Sequence, residues 1–317
     1  MSSRADDRRL DEAARAAWLY YVAGNTQDEI ARKLGVSRQT AQRLVSLAVS
    51  ERLIKVRLDH PIARCMELGA ALAERHKLAF CEVAPSDPVA PALLAGIAIA
   101  GAAEMERHLK SSDPRIIALG TGRALRAAVE QLPALDCPQH SIVSLLGNMM
   151  SDGSATPYNV VVRMADRVGA RHYPMPLPVL VEGPEQLALL HAQEPVRNTL
   201  ELCRRADVTF VGMGQLDATA PLLVDGFITE SDMCALRSAG AVGEITSWAF
   251  DRDGAPIGSA FNERVASAPL RTAEGRLVVG IASGEAKARA IHAALRGRLI
   301  SALITDEATA ERLLRID

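Results

Sequence analysis

Six hydrogen-bonding residues crowd into seven consecutive positions near the start of this chain: Ser37, Arg38, Gln39, Thr40, Gln42 and Arg43. These side chains suit the reading of base edges. Arg forks onto guanine, Gln onto adenine, and Ser or Thr reaches phosphate or either base. Gln27 opens the preceding helical segment, where backbone amides favour a phosphate. A second set of residues lies far downstream. Gly120-Thr121-Gly122-Arg123, Gly212-Met213-Gly214 and Ser283-Gly284-Glu285-Ala286-Lys287 each follow an apolar run. Glycine lets backbone amides approach a ligand. Arg123 and Lys287 stand at helix starts, where a cation opposes the helix dipole unless it serves a phosphate or a polyhydroxylated ligand. Glu244, within Gly240–Ile245, can accept hydrogen bonds from hydroxyl groups. Asn148, Asn159 and Asp225 are weaker candidates of the same kind, for which a turn or cap role serves equally well.

Each of these residues also has a plainer reading. A lone cation at a helix start is commonly solvated, and a lone Gly-x-Gly is commonly a turn. No nucleotide signature is present. Leu125 stands where a third glycine would belong after Gly122, and no Gly-x4-Gly-Lys-Ser/Thr loop occurs. The seven histidines and five cysteines are scattered, with no Cys-x-x-Cys pair, so no metal and no cofactor is called for.

The first candidates must be held by short helices. Asp11–Val22 lacks Gly and Pro and predicts a helix ending at Gly24-Asn25. Thr26 is an N-cap, and Glu29 three residues on completes a capping box for a helix over Gln27–Leu34. Gly35 turns the corner and Val36 plugs the core beneath it. Ser37 caps a second helix, Arg38–Glu51, whose Ala41, Leu44, Val45 and Ala48 recur at helical spacing. Two helices joined through such a turn make a helix-turn-helix, whose second helix enters the major groove of double-stranded DNA. A hairpin that merely packs would not call for Arg, Gln, Thr, Gln and Arg just past the cap. Residues 32–57 carry seven basic residues against the single acid Glu51, although net charge over the chain is −2. Leu53–Leu58 alternates and predicts a wing strand, giving a winged-helix-like domain over residues 1–60.

From His60-Pro61 the pattern changes, and residues 61–317 read as a second domain. Ile62–His76 predicts a linking helix that either supports dimerisation or docks on that domain. Apolar strands are expected at Arg115–Leu119, Ser141–Leu146, Asp207–Val211, Arg276–Ala282 and Leu299–Ile304, with helices at Arg123–Gln131 and after Lys287 through Arg296. Short apolar strands alternating with helices imply a doubly wound α/β domain with a parallel sheet. Ligands then gather beyond the carboxyl ends of its strands.

Composition sets the outer bounds. The 317 residues are 49% hydrophobic and 3% aromatic, so an aliphatic core is expected without disulfide staples. The longest apolar run, Pro91–Ala103, falls short of a membrane span, and the charged N-terminus has no apolar leader. A cytoplasmic protein with reduced thiols is expected.

Several stretches resemble the SorC/DeoR-type family of bacterial sugar-responsive transcriptional regulators. Thr26–Ala31 and Leu34–Arg38 match its DNA-reading motif. Gly240–Ile245 with Asp251–Gly254, Ser283–Leu295 and Leu303–Ala310 match its sugar-binding domain. The resemblance implies a fold similar to sugar-phosphate isomerases and deaminases. It also implies a homodimer or homotetramer whose operator affinity is set by a sugar, sugar phosphate or polyol. The pocket it implies uses Gly120, Thr121, Gly122, Arg123, Glu244 and Lys287. Two departures stand out. The family's phosphate loop carries Thr or Ser two residues after its second glycine, whereas this chain has Ala124, which favours an unphosphorylated ligand. Ala41 replaces a β-branched residue of the recognition helix. The rival class is an isomerase or deaminase with a DNA-binding appendage, using Glu244 and Lys287 in catalysis. A third reading is a constitutive regulator with a vestigial pocket.

Overall fold

The computed structural model describes residues 2–51, 53–54, 62–87, 94–150 and 152–316, with side chains from residue 8 onward. The chain divides into two units, Met1–His60 and Pro61–Asp317.

In the first unit, helix α1 spans Ser2–Ala17 and continues as a π-helical turn over Trp18–Val22. It starts nine residues before the expected Asp11, because no Gly or Pro interrupts the preceding segment. Helix α2, Gln27–Leu34, opens on a complete capping box between Thr26 and Glu29. Gly35 follows at φ +66°, a left-handed corner that favours glycine. Helix α3, Arg38–Ser50, starts where the Ser37 hydroxyl accepts the Thr40 N–H. The core is built from small and aliphatic residues: Ala13, Ala16 and Ala17 of α1, Ile30 and Ala31 of α2, and Ala41, Leu44, Val45 and Ala48 of α3. Thr26→Ala removes the cap of α2 and is expected to cost about 1 kcal/mol of stability, measurable by urea denaturation. An unchanged midpoint would show that packing alone holds α2. Leu53 and Ile54 are not in a strand. The rest of the expected wing, residues 55–58, lies outside the described residues.

The second unit begins with α4, Ala63–His76. The strands of the unit are β1 Phe80–Ala84, β2 Ile116–Leu119, β3 Ser141–Met149, β4 Arg171–Pro178, β5 Val208–Val211, β6 Gly214–Gln215, β7 Gly243–Ile245, β8 Trp248–Phe250, β9 Leu277–Ile281 and β10 Ala302–Asp306. The further helices are α5 Ala95–Leu109, α6 Arg123–Gln131, α7 Val160–Val168, α8 Pro184–His191, α9 Glu194–Arg204, α10 Pro221–Val224, α11 Glu230–Ser238, α12 Ala288–Arg296 and α13 Glu307–Arg315. Seven strands form one sheet in the order β1-β10-β9-β5-β2-β3-β4, with every pair parallel. Successive strand residues feed opposite faces. Ile117, Leu119, Val279 and Ile281 pack against α5, α6 and α7. Val278 and Leu303 pack against α4, α12 and α13, and Ala118 and Val143 against α9. Helices therefore cover both faces, the doubly wound arrangement.

Three details of the main sheet differ from the sequence expectation. Both edge strands, β1 and β4, were missed. β4 carries Pro174, Pro176 and Pro178, which only an edge strand tolerates because its missing N–H groups face away from the ladder. β3 runs on to Met149, so Asn148 sits within the strand and not in a loop beyond it. The last strand starts at Ala302 and not Leu299, since Leu299 and Ile300 fill the core as the turn after α12. The apolar stripe of α4 is used only in part inside its own unit: Cys65, Leu68 and Leu72 pack with Val83, Leu303 and Leu313, while Ile62 and Met66 stay exposed. A small antiparallel sheet, β6-β7-β8, stands beside the carboxyl ends of the main strands.

Candidate functional site

Two surfaces gather the candidate residues, one in each unit. On the first, helical spacing turns Ala41, Leu44 and Val45 inward, which leaves Arg38, Gln39, Thr40, Gln42 and Arg43 exposed together with Ser37. Gln27 is partly buried at the start of α2. Not all of these groups are equally available. The Ser37 hydroxyl is engaged as a cap, and Thr40 Oγ1 lies 2.9 Å from it. Arg38 pairs with Asp28 at 3.5 Å, both side chains largely in solvent, so water and salt weaken the pair. Gln39, Gln42 and Arg43 have no hydrogen-bond or ion-pair partner among the described residues. The surface is a cationic helix face with free amide and guanidinium donors.

The second surface is a cavity of about 300 Å³ beyond the carboxyl ends of β2, β5 and β9. The loops after these strands supply Thr121 and Gly122, Gly212 and Gly214, and Ser283 and Gly284. Arg123 opens α6, and Lys287 closes the short 3₁₀ turn before α12. Glu244 projects from β7, and its Oε2 accepts the Ser247 N–H at 2.9 Å. A Cβ at Gly214 on the facing strand would crowd the Glu244 side chain, which would have to shift to admit it. The β7–β8 turn, Thr246-Ser247, has φ of +51° and +70° and is buried against the cavity. Two consecutive left-handed residues suit a tight hairpin turn, yet Asn and Gly are its ordinary occupants.

Charge in the cavity is balanced. Arg123 donates to Asp225 Oδ1 at 3.0 Å, and the Tyr158 hydroxyl donates to the other oxygen of the same carboxylate. Burial first, then the bond to Asp225, pushes the Tyr158 hydroxyl up to about 12. Lys287 has no ion-pair partner within 4.0 Å among the described residues. Desolvation drives its ammonium below the ordinary lysine range, against the pull of Glu244 and with the push of Arg123. Desolvation likewise raises the Glu244 carboxyl, opposed by the Ser247 N–H and Lys287. Between its ordinary 4.5 and that raised value, the folded chain keeps a proton the unfolded chain has lost. Stability therefore falls as pH rises through this window. Urea titrations across it are expected to show the decline in wild type and a flatter profile in Glu244→Gln. Parallel profiles would contradict the burial of a titrating carboxylate here.

Comparisons with known proteins match a domain family to each unit. Residues 60–315 match the family described as "Putative sugar-binding domain", and residues 7–56 match a homeodomain-like domain. The chain is 35% identical over 302 residues to the erythritol catabolism regulatory protein EryD of Brucella abortus, covering 95% of this chain and 96% of that protein. It is 30% identical over 311 residues to the transcriptional regulator LsrR of Escherichia coli K12, covering 96% and 95%. The crystal structure of the full-length sorbitol operon regulator SorC from Klebsiella pneumoniae superposes with a TM-score of 0.70 at 26% identity, covering 98% of this chain and 100% of that one. The chain belongs to the SorC/DeoR-type sugar-binding transcriptional regulators. It is a regulator with a helix-turn-helix and a sugar-binding domain, as its relatives are. No helix among the described residues is long and apolar enough to cross a membrane.

Within this SorC-type regulator the structure sorts the site residues named from sequence. Thr121, Gly122, Arg123, Gly212, Gly214, Glu244 and Lys287 line one cavity. Gly120 does not line it, because its N–H is committed to Phe210 O at 2.8 Å between the strands. Asn148 lies on β3 away from the cavity lining, and its carbonyl accepts the Thr156 N–H. Asn159 is the exposed N-cap residue of α7 at φ +46°, a conformation Asn tolerates better than most side chains. Asp225 sits behind Arg123 as its counter-ion. Sequence reasoning missed Tyr158, Gln215, Thr219, Thr246 and Ser247, which also line the cavity. Gln215 and Thr246 were adjacent to named motifs, whereas nothing in the local sequence of Tyr158 marks it. Gln215 matters because its Oε1 is buried without a hydrogen-bond donor.

Proposed function

We propose that the cavity binds a small uncharged polyol or sugar, and that its occupancy sets the affinity of the helix-turn-helix for double-stranded operator DNA. One observation carries this reading: the cavity offers little surplus positive charge, since its arginine is tied to a carboxylate and its unpaired lysine stands beside another. Arg123 is tied to Asp225, Lys287 faces the field of Glu244, and the position that would add a phosphate-binding hydroxyl is Ala124. A phosphate dianion needs surplus positive charge, whereas hydroxyls need donors and acceptors side by side. Glu244 and Gln215 Oε1 supply acceptors. Lys287, Thr121 and the Gly122 amide supply donors. The similar EryD is an erythritol catabolism regulatory protein, and erythritol is a small neutral polyol, in keeping with this chemistry. Ser37, Thr40 and Gln27 hold phosphates and set the register of α3, and Arg38, Gln39, Gln42 and Arg43 meet base edges. A homodimer or homotetramer in the cytoplasm presents α3 in pairs to repeated half-sites. The effector acts by binding better to one arrangement of those pairs than to another.

The test is a thermal-shift screen with four- to six-carbon polyols, aldoses and their phosphates, followed by operator-binding titrations with each compound that binds. Neutral compounds are expected to stabilise and to change operator affinity. Stabilisation by phosphates alone would overturn the reading. Asp225→Asn supplies a sharper check. Freeing Arg123 is expected to shift preference toward phosphorylated sugars by roughly tenfold, the scale of one charge-assisted hydrogen bond. An unchanged preference would show that Arg123 does not face the ligand.

A further inference from the structure

A second cavity, of about 310 Å³, lies on the opposite side of the β7–β8 turn, and its chemistry differs from the first. Its floor is aliphatic, formed by Leu145, Val211, Ile245, Val278 and Leu299 from the sheet side and Leu200 from α9. Its rim carries four arginines, Arg197, Arg204, Arg271 and Arg276, against the single acid Glu201. Arg204 is paired with Glu201 at 2.6 Å, and Arg276 donates to the Thr272 carbonyl. Arg197 and Arg271 are exposed, and their guanidinium groups have no ion-pair or hydrogen-bond partner among the described residues. An apolar floor under unanswered guanidinium groups matches a molecule with a greasy body and an anionic head. It does not match a polyol, which would leave its hydroxyls unpaired against leucine and valine.

We infer that this cavity is a second ligand site, selective for amphipathic anions such as a medium-chain carboxylate. The volume falls at the lower end of small-molecule sites. Charge complementarity also speaks against a second copy of the same face as the occupant. An isologous contact would bring the two arginine rims together, and like charges there repel. The two cavities share Thr246 as a common wall. This site stands whether or not the first cavity takes a polyol.

The experiment uses the full-length chain and three probes with one tail length: octanoate, octanol and octylammonium, each below its aggregation concentration, followed by calorimetry. Octanoate is expected to bind with one site per chain, at least tenfold more tightly than octanol, and octylammonium is expected not to bind. The double substitution Arg197→Glu with Arg271→Glu lies on exposed positions. It is expected to lower octanoate affinity at least tenfold while leaving the thermal midpoint without ligand close to wild type. A second variant, Leu200→Trp, fills the cavity and is expected to exclude all three probes. Equal binding of octanoate and octanol, or unchanged octanoate binding in the charge-reversed variant, would overturn the assignment. Octanoate binding that occurs only as an oligomer dissociates would assign the hollow to a second copy instead.

Discussion

Lys287→Ala is expected to leave operator binding in place while lowering effector affinity on the order of 10–100-fold, the scale of losing a hydrogen bond to a charged donor in a desolvated site. Three features support a large effect. The ammonium is removed from water, it has no ion-pair partner among the described residues, and it stands at the entry to α12 in the cavity lining. A cation held in that way is costly unless a ligand engages it. The residue is distant in sequence from the helix-turn-helix and plays no part in its core. Effector titrations of operator binding, run on wild type and variant in parallel, separate the outcomes. Retained operator binding with a lost response supports a sensor. An unchanged response would remove Lys287 from the site. A wild-type protein that responds to no polyol, sugar or sugar phosphate would be a constitutive regulator with an idle cavity.

Arg43→Ala is expected to weaken specific operator binding by roughly 10–100-fold and to relax sequence preference at one position of the half-site, the cost of losing a bidentate base contact. Binding to unrelated DNA should change much less. Arg43 is the stronger choice for this test because its guanidinium is exposed and unpartnered among the described residues, while Arg38 leans on Asp28. Arg38→Ala should therefore cost less. Asp28→Ala should tighten binding slightly at low salt, since it releases Arg38 and removes a negative charge facing the DNA. Gel-shift or anisotropy titrations at several salt concentrations measure all three variants. Equal losses on operator and random DNA would make Arg43 a phosphate contact and not a base reader.

Much of the small unit was legible in the sequence because its determinants are local. A capping box joins residues three apart, Gly35 answers a single backbone angle, and an amphipathic period of 3.6 is visible within one helix. The same logic located the strand–loop–helix units around Gly122 and Gly284, where an apolar run meets glycine, and the strand end at Gly212, although β6 and not a helix follows there. It failed at β4, whose three prolines read as loop until the strand is placed at a sheet edge. It also failed at β7 and β8, three residues each, which exist as strands only because β6 and one another supply partners.

The cavity divides along the same line. Glu244 was found because a carboxylate within a glycine-rich apolar stretch is conspicuous in one dimension, and Lys287 because a cation at a helix start opposes the dipole. Gly120 was wrongly placed among the cavity residues because a glycine before a loop looks alike whether its N–H is free or bonded across a sheet. Asp225 was read as a possible acceptor for sugar hydroxyls, but its two oxygens are taken up by Arg123 and Tyr158, residues 102 and 67 positions away.

By itself, then, the order of residues determined where helices start and stop, which face of α3 is polar, and which loops carry glycine and charge. These are matters of backbone preference and short-range periodicity. Only the tertiary structure decided which charges cancel, which carbonyl or carboxylate is already satisfied, and that two hollows of opposite character share Thr246 as a wall. Electrostatic fields and desolvation depend on distances through space, and a parallel sheet brings together strand ends that lie a hundred residues apart along the chain.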